Sequence, residues 1–290
     1  MPELPEVETI ANGVHARVYG QRIAGVWTSG KPQTFKSPET EIAEALTGAT
    51  IDSVRRVGKT IVMTLRRATA RKASPVPSGV LARVEFLIHL GMTGQLLVSQ
   101  PEVPQPLHTH AVLSLADGRE VRFVDPRRFG RLSIHRQAAT DNQQPPTSYS
   151  GPGREPLAIS NEDFIALFHG RKTPIKAALL NQSLLHGVGN IYADEALFRA
   201  GIRPRRQAGR LTRDELTRLR KALIDVLRRA IKLGGSSVSD YVDAEGMRGY
   251  FQIEHKAYGR GGEPCLDCGT PIKKIVVGGR GTHFCPQCQK

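Results

Sequence analysis

Cys265 and Cys268 form one Cys-x-x-Cys pair and Cys285 and Cys288 a second, with sixteen residues between them, and all four cysteines lie in the last 26 residues. Each such turn aims two thiolates at one point, and four sulfurs complete a tetrahedral shell with no position left open for substrate. The spacing therefore predicts one structural Zn2+. The alternative is two disulfides, which a reducing compartment disfavours. His283 stands beside the second pair, but four thiolates leave it no vacancy. Between the pairs, residues 273–277 and 283–284 flank Gly278-Gly279-Arg280-Gly281, which predicts a hairpin with Arg280 at a glycine-rich tip. Arg280 there can grip a backbone phosphate, or stand as a solvated surface charge.

The opening Met1-Pro2-Glu3 is a second reagent. A small second residue permits removal of Met1, which leaves Pro2 as a secondary amine beside the Glu3 carboxylate. At pH 7 an α-amino group of pKa ~7.8 is roughly 15% neutral, against about 0.04% for a lysine at ~10.4. A secondary amine that attacks a sugar C1′ forms an iminium that keeps its charge, an electron sink for eliminating the attached phosphates. Glu3 can serve as the general acid. The competing reading is structural: Pro and Glu are also the residues that open a helix.

The elements that must carry these groups follow from the remaining pattern. The chain has 290 residues, 39% of them hydrophobic, with 41 Lys+Arg against 27 Asp+Glu and a formal charge of +14. That charge predicts a nucleic-acid partner, and the apolar content excludes a disordered basic tail. No apolar run approaches the ~18 residues of a membrane span. Glu3, Glu6 and Glu8 stand where an export signal would be cationic and then apolar, so a cytoplasmic, nucleoid-associated protein is expected. Val7, Ile10, Ala11, Val14 and Val18 recur at helical spacing over residues 5–19. Strands are predicted at 22–28, 49–57, 60–65, 80–89, 95–98, 111–115, 120–124 and 131–135, with Asp117-Gly118 turning one hairpin. An antiparallel β-sandwich is the expected arrangement. Residues 137–160 turn to Gln, Pro, Ser, Gly and Asn, a linker composition. Beyond them Ser160, Thr173-Pro174 and the Thr212/Glu215 capping box announce helices, the last apolar along Leu216, Leu219, Leu223, Val226, Leu227, Ala230 and Ile231. The fold class is thus α+β in two domains.

Five strings bind these readings together: Met-Pro-Glu-Leu-Pro-Glu-Val-Glu-Thr at the start, His89-Leu90-Gly91-Met92-Thr93-Gly94, Asp125-Pro126-Arg127-Arg128-Phe129-Gly130, Gly187-Val188-Gly189-Asn190-Ile191-Tyr192, and the terminal cysteine module. In this order, over nearly the whole chain, they resemble the bacterial formamidopyrimidine-DNA glycosylases. The resemblance implies a catalytic sandwich at 1–136, a linker at 137–160, a helix-two-turns-helix domain at 161–255 and a zinc finger at 256–290. It implies a glycosylase and abasic-site lyase that flips oxidised purines (8-oxoguanine, formamidopyrimidines) out of double-stranded DNA and then nicks the strand by β,δ-elimination. A monomer is expected, with no membrane partner.

By the same resemblance Pro2 is the nucleophile, Glu3 shuttles protons to the opening sugar, and Lys59 either transfers a proton in β-elimination or contacts phosphate. Arg280 grips phosphate and serves the second elimination, and Asn190 binds phosphate from the helix-two-turns-helix. Met92, Arg127 and Phe129 fill the void left by the extruded base, although Met92 and Phe129 also suit a sandwich core. His108 and Arg171 align with phosphate contacts or belong to a solvated basic surface. The chain departs from the family in longer stretches at 67–79 and 141–154 and in Leu107, where a lysine is common. Residues 234–250 correspond to a lesion-covering loop. Two rivals are an endonuclease VIII-like glycosylase for oxidised pyrimidines and a non-catalytic zinc-bearing DNA-binding protein. Leu4 with Arg127 and Phe129 favours the purine enzyme, and mere binding needs no N-terminal amine.

Overall fold

The computed structural model describes residues 1–67, 82–136, 148–237 and 241–290. Residues 68–79 and 141–147 of the two long stretches, the start of the strand expected at 80 and part of the loop at 234–250 lie outside them. The chain divides into two compact units: Met1–Pro2, Glu6–Ser150 and Val238–Arg248 in the first, Glu3–Pro5, Gly151–Ser237 and Gly249–Lys290 in the second.

In the first unit, helix α1 (Leu4–Val18) buries the apolar stripe Val7, Ile10, Ala11, Val14 and Val18. Two antiparallel four-stranded sheets share that core. One runs β1-β6-β7-β5, from strands Ile23–Thr28, Thr109–Leu115, Glu120–Val124 and Gln95–Ser99. The other runs β2-β3-β4-β8, from Thr50–Val57, Thr60–Arg67, Ala82–His89 and Arg131–Arg136. The expected strands are all present within a residue or two. An unpredicted helix, α2 (Glu39–Leu46), buries Ile42, Ala45 and Leu46. Its signal was available in Pro38 and the first-turn acids Glu39 and Glu41.

The second unit is helical: α3 (Asn161–Phe168), α4 (Ile175–Leu179), α5 (Asn190–Ala200) and α6 (Arg213–Lys232). Ser160 caps α3 through the Asp163 N–H, and Thr212 with Glu215 forms the full capping box of α6. The predicted α6 stripe is buried except for the half-buried Ile231. The hairpin β9 (Lys273–Val277) and β10 (Arg280–Phe284) ends this unit. Residues 241–248, expected with the helical domain, cluster instead with the first unit: the Ala244 carbonyl accepts the Val98 N–H, and a Cβ on Gly13 would lie 3.2 Å from the Ala244 Cβ.

Candidate active site and zinc centre

Glu3 is almost fully buried, and its carboxylate lies at the N-terminus of α5. Its oxygens accept the N–H groups of Ile191, at 3.1 Å, and Tyr192, at 3.5 Å. An anion is favoured there because the first N–H groups of a helix have no internal partner and the dipole is positive. Gly189 makes the place: a Cβ on it would fall 2.1 Å from the Glu3 Cδ. The neighbouring Leu4 N–H donates to the Gly187 carbonyl at 3.0 Å, and Gly187 has a φ of +94° with Leu4 packed against its α-carbon face. The glycines of Gly187-Val188-Gly189-Asn190 therefore receive the segment that follows Pro2.

A buried ion pair fixes the zinc hairpin to the same helices. Lys176 of α4 and Asp194 of α5, both wholly buried, approach to 2.7 Å. The Lys176 Nζ also donates to the Gly281 carbonyl at 3.0 Å and to the Thr282 Oγ1 at 2.7 Å. Asp194 accepts the His283 N–H at 2.9 Å, and the Asn190 amide donates to the Gly281 carbonyl at 2.9 Å. Burial draws the Lys176 ammonium below its ordinary pKa, against the opposing charges of Asp194 and Glu3. This clamp lies immediately after Arg280. The hairpin tip is narrower than expected: only Gly278 and Gly279 turn, both at positive φ, and Arg280 opens β10 opposite Val277 with its side chain exposed. Asn190 thus has a structural bond to the hairpin, and the Tyr258 hydroxyl hydrogen-bonds its side chain. Burial chiefly, then Glu3, raises the Tyr258 pKa. Tyr258 carries no signature in the sequence that singles it out.

The four cysteines are free, and their sulfurs all lie within 4.8 Å of one another. Cys265 and Cys288 Sγ are 3.9 Å apart, Cys268 and Cys285 Sγ 3.5 Å. Four sulfurs at ~2.3 Å from a tetrahedral zinc stand about 3.8 Å from each other, so the cluster fits that ion. The Cys288 N–H points at the Cys285 sulfur, at 3.4 Å. One structural zinc is held here, and the disulfide reading falls.

In the first unit, Met92, Arg127 and Phe129 are presented by two loops bound through Asp125. This fully buried carboxylate accepts the Thr93 hydroxyl at 2.7 Å, the Gly130 N–H at 2.7 Å and the Arg127 N–H at 3.3 Å. The loops touch backbone to backbone, so a Cβ on Gly91 would meet Gly130 N at 2.5 Å. Met92 and Phe129 are exposed, 40% and 46%, which removes the sandwich-core reading for both. The Arg127 guanidinium lies 4.9 Å from the Phe129 ring centroid. Lys59 occupies the two-residue turn between β2 and β3, after Gly58 at φ +61°. Opposite the turn, His89 accepts the Gly91 N–H on Nδ1 at 3.1 Å, which leaves the proton of the neutral ring on Nε2. Burial first, then the positive charges of Lys59 and Arg131, hold its pKa below the ordinary histidine value. His108, at φ +69°, and Arg171 are both exposed. Leu107, beside His108, is 81% exposed. Pro2 is buried.

A sandwich entered by an N-terminal helix, a helix-two-turns-helix pair and a four-cysteine hairpin define the class of zinc-bearing DNA glycosylases. Residues 1–132 match the family profile of the formamidopyrimidine-DNA glycosylase N-terminal domain, 153–242 that of the formamidopyrimidine-DNA glycosylase H2TH domain, and 262–290 that of the zinc finger found in FPG and IleRS. The chain belongs to the formamidopyrimidine-DNA glycosylase family. It is 43% identical over 291 residues to the formamidopyrimidine-DNA glycosylase of Solibacter usitatus, and 42% identical over 297 to that of Acidiphilium cryptum, with both proteins of each pair covered completely. It is also similar to solved Lactococcus lactis FPG structures. A complex with Fapy-dG-containing DNA superposes with a TM-score of 0.83 at 30% identity over 100% of both chains. A complex with abasic-site DNA gives 0.82 at 30% over 99% of both, and one with oxidised-pyrimidine DNA 0.82 at 30% over 100% of both.

Proposed function

We propose that this chain is a base-excision repair enzyme that binds double-stranded DNA, removes oxidised purines and cleaves the strand at the resulting or pre-existing abasic sugar. The observation that carries the reading is the Glu3 carboxylate, lodged over Gly189 at the start of α5 and adjacent in sequence to Pro2. A buried carboxylate beside an N-terminal secondary amine is what sugar opening requires: the Pro2 nitrogen attacks C1′ and the base departs, and Glu3 takes up the proton that the nitrogen loses and passes it to the ring oxygen as the C1′–O4′ bond breaks and the iminium forms. Lys59 exchanges the C2′ proton in the first elimination or holds the flanking phosphate. Arg280, Asn190, His108 and Arg171 bind phosphates, with Arg280 serving the second elimination. Met92, Arg127 and Phe129 occupy the space of the extruded base. The protein acts as a monomer in the cytoplasm, and among the described residues no helix is long and apolar enough to cross a membrane.

Intact mass together with borohydride trapping tests this directly. Met1 is expected to be absent, and the DNA adduct to map to Pro2. An adduct on a lysine peptide, or full activity with Met1 retained, refutes the assignment. Faster action on thymine glycol than on 8-oxoguanine would replace the purine reading with the pyrimidine one.

A further inference from the structure

On the reading that Pro2 attacks and Lys59 exchanges a proton, two groups on different elements must keep one register. Pro2 lies two residues ahead of α1, while Lys59 sits in the β2–β3 turn. Arg56 joins those elements. Its side chain is 5% exposed; Nε donates to Glu8 Oε2 of α1 at 2.5 Å, and Nη1 donates to the Gly58 carbonyl at 3.3 Å, one residue before Lys59. Its neighbour Arg55 points to the other sheet face, where it meets Glu85, Ser148 and the Tyr149 carbonyl. The turn itself is tight, with Val57 paired to Thr60 and Gly58 at φ +61°, so it moves as a body with whatever holds its carbonyl. A guanidinium taken out of water is costly, and its planar fork is suited to bridging two fixed acceptors.

We propose that Arg56 is a positioning residue for strand cleavage: it ties the Glu8 carboxylate of the nucleophile's helix to the Gly58 carbonyl and so holds Lys59 in place against the Pro2-bound sugar. A lysine at this position keeps the charge but not the fork, and cannot bond both acceptors in one plane. Glu8→Gln keeps an acceptor and loses the charge.

The test uses a duplex with a preformed abasic site, and reads Pro2 trapping by borohydride separately from strand scission. For Arg56→Lys, trapping stays within about threefold of the parent, while scission falls at least about tenfold and the trappable intermediate accumulates. Glu8→Gln shows a smaller loss of the same kind. The double variant is no slower than Arg56→Lys, because both changes open one bridge. Unchanged scission in Arg56→Lys, or trapping and scission falling together with Tm, overturns the proposal, the second outcome marking a merely structural arginine. Lys59→Ala and Pro2→Gly are the controls for the underlying reading. If scission survives either, that reading falls and this proposal with it, whereas normal dependence on both with full scission in Arg56→Lys overturns this proposal alone.

Discussion

Gly189→Ala adds one methyl group at a place where the backbone tolerates it, and it tests whether the seat of Glu3 makes the chemistry possible. Gly189 has φ −129° and ψ −165°, extended values open to alanine, so no backbone strain accompanies the change. The new Cβ would lie 2.1 Å from the Glu3 Cδ and 2.4 and 2.5 Å from its oxygens. Ordinary contact begins near 3.4 Å, so the carboxylate must retreat by about 1.3 Å. It then loses the Ile191 and Tyr192 N–H groups, now at 3.1 and 3.5 Å. Hydrogen bonds to a charged group contribute about 1.5–3 kcal/mol each, and a catalytic group misplaced by ~1 Å costs about 100-fold in rate. Single-turnover excision of 8-oxoguanine is therefore expected to fall about 100-fold, equivalent to ~2.7 kcal/mol of barrier. On a preformed abasic duplex the glycosidic bond is already gone, so Pro2 trapping should fall less than about tenfold. Zinc content and far-UV circular dichroism serve as folding controls. Excision within about threefold of the parent, or equal losses on both substrates, refutes the argument that Gly189 exists to seat the acid.

Three further outcomes follow from the same geometry. Burial alone would raise the Glu85 pKa, but bonds from Ser148, the Tyr149 N–H and Arg55 outweigh it and hold the carboxyl below its usual value of 4.5. Its stabilising contribution is therefore complete above the unfolded-state pKa and lost as pH falls through the lower folded one. Urea unfolding should show a steeper acid-side loss than in Glu85→Gln, and parallel profiles would contradict this. Zinc chelation should release the Cys265/Cys268/Cys285/Cys288 hairpin and abolish tight duplex binding, since Arg280 loses its support; undiminished binding by metal-free protein in a titration refutes it. Once the damaged purine is flipped out, the base opposite it exposes its Watson–Crick edge, and the Arg127 guanidinium offers only donors, which cytosine answers with two acceptors and adenine does not. Excision of 8-oxoguanine opposite cytosine should exceed that opposite adenine by roughly 10- to 100-fold, or ~1–3 kcal/mol. Arg127→Ala should narrow the gap, and equal rates in the unaltered protein would refute the role given to Arg127.

What the sequence determined by itself was whatever a short stretch of chain decides. The Thr212/Glu215 box, the Ser160 cap, the Asp117-Gly118 hairpin and the two Cys-x-x-Cys turns are set by bonds between residues two to five apart, and each formed where residue type and spacing placed it. The periodicities of α1 and α6 likewise marked their buried faces before any partner was known. Tertiary structure decided the rest. Glu3 reaches the Ile191 N–H across 188 positions, Lys176 reaches Thr282 across 106, and Arg56 reaches Glu8 across 48, distances over which no local pattern carries information. Met92 and Phe129 show the limit most clearly. The glycines beside them weakened a core reading without excluding it, and the Asp125 clamp, which holds two loops together by their backbones and turns those side chains outward, made the choice. Burial of a polar group is a property of everything packed around it, so the residues that hold the site in place became visible only once the chain had closed on itself.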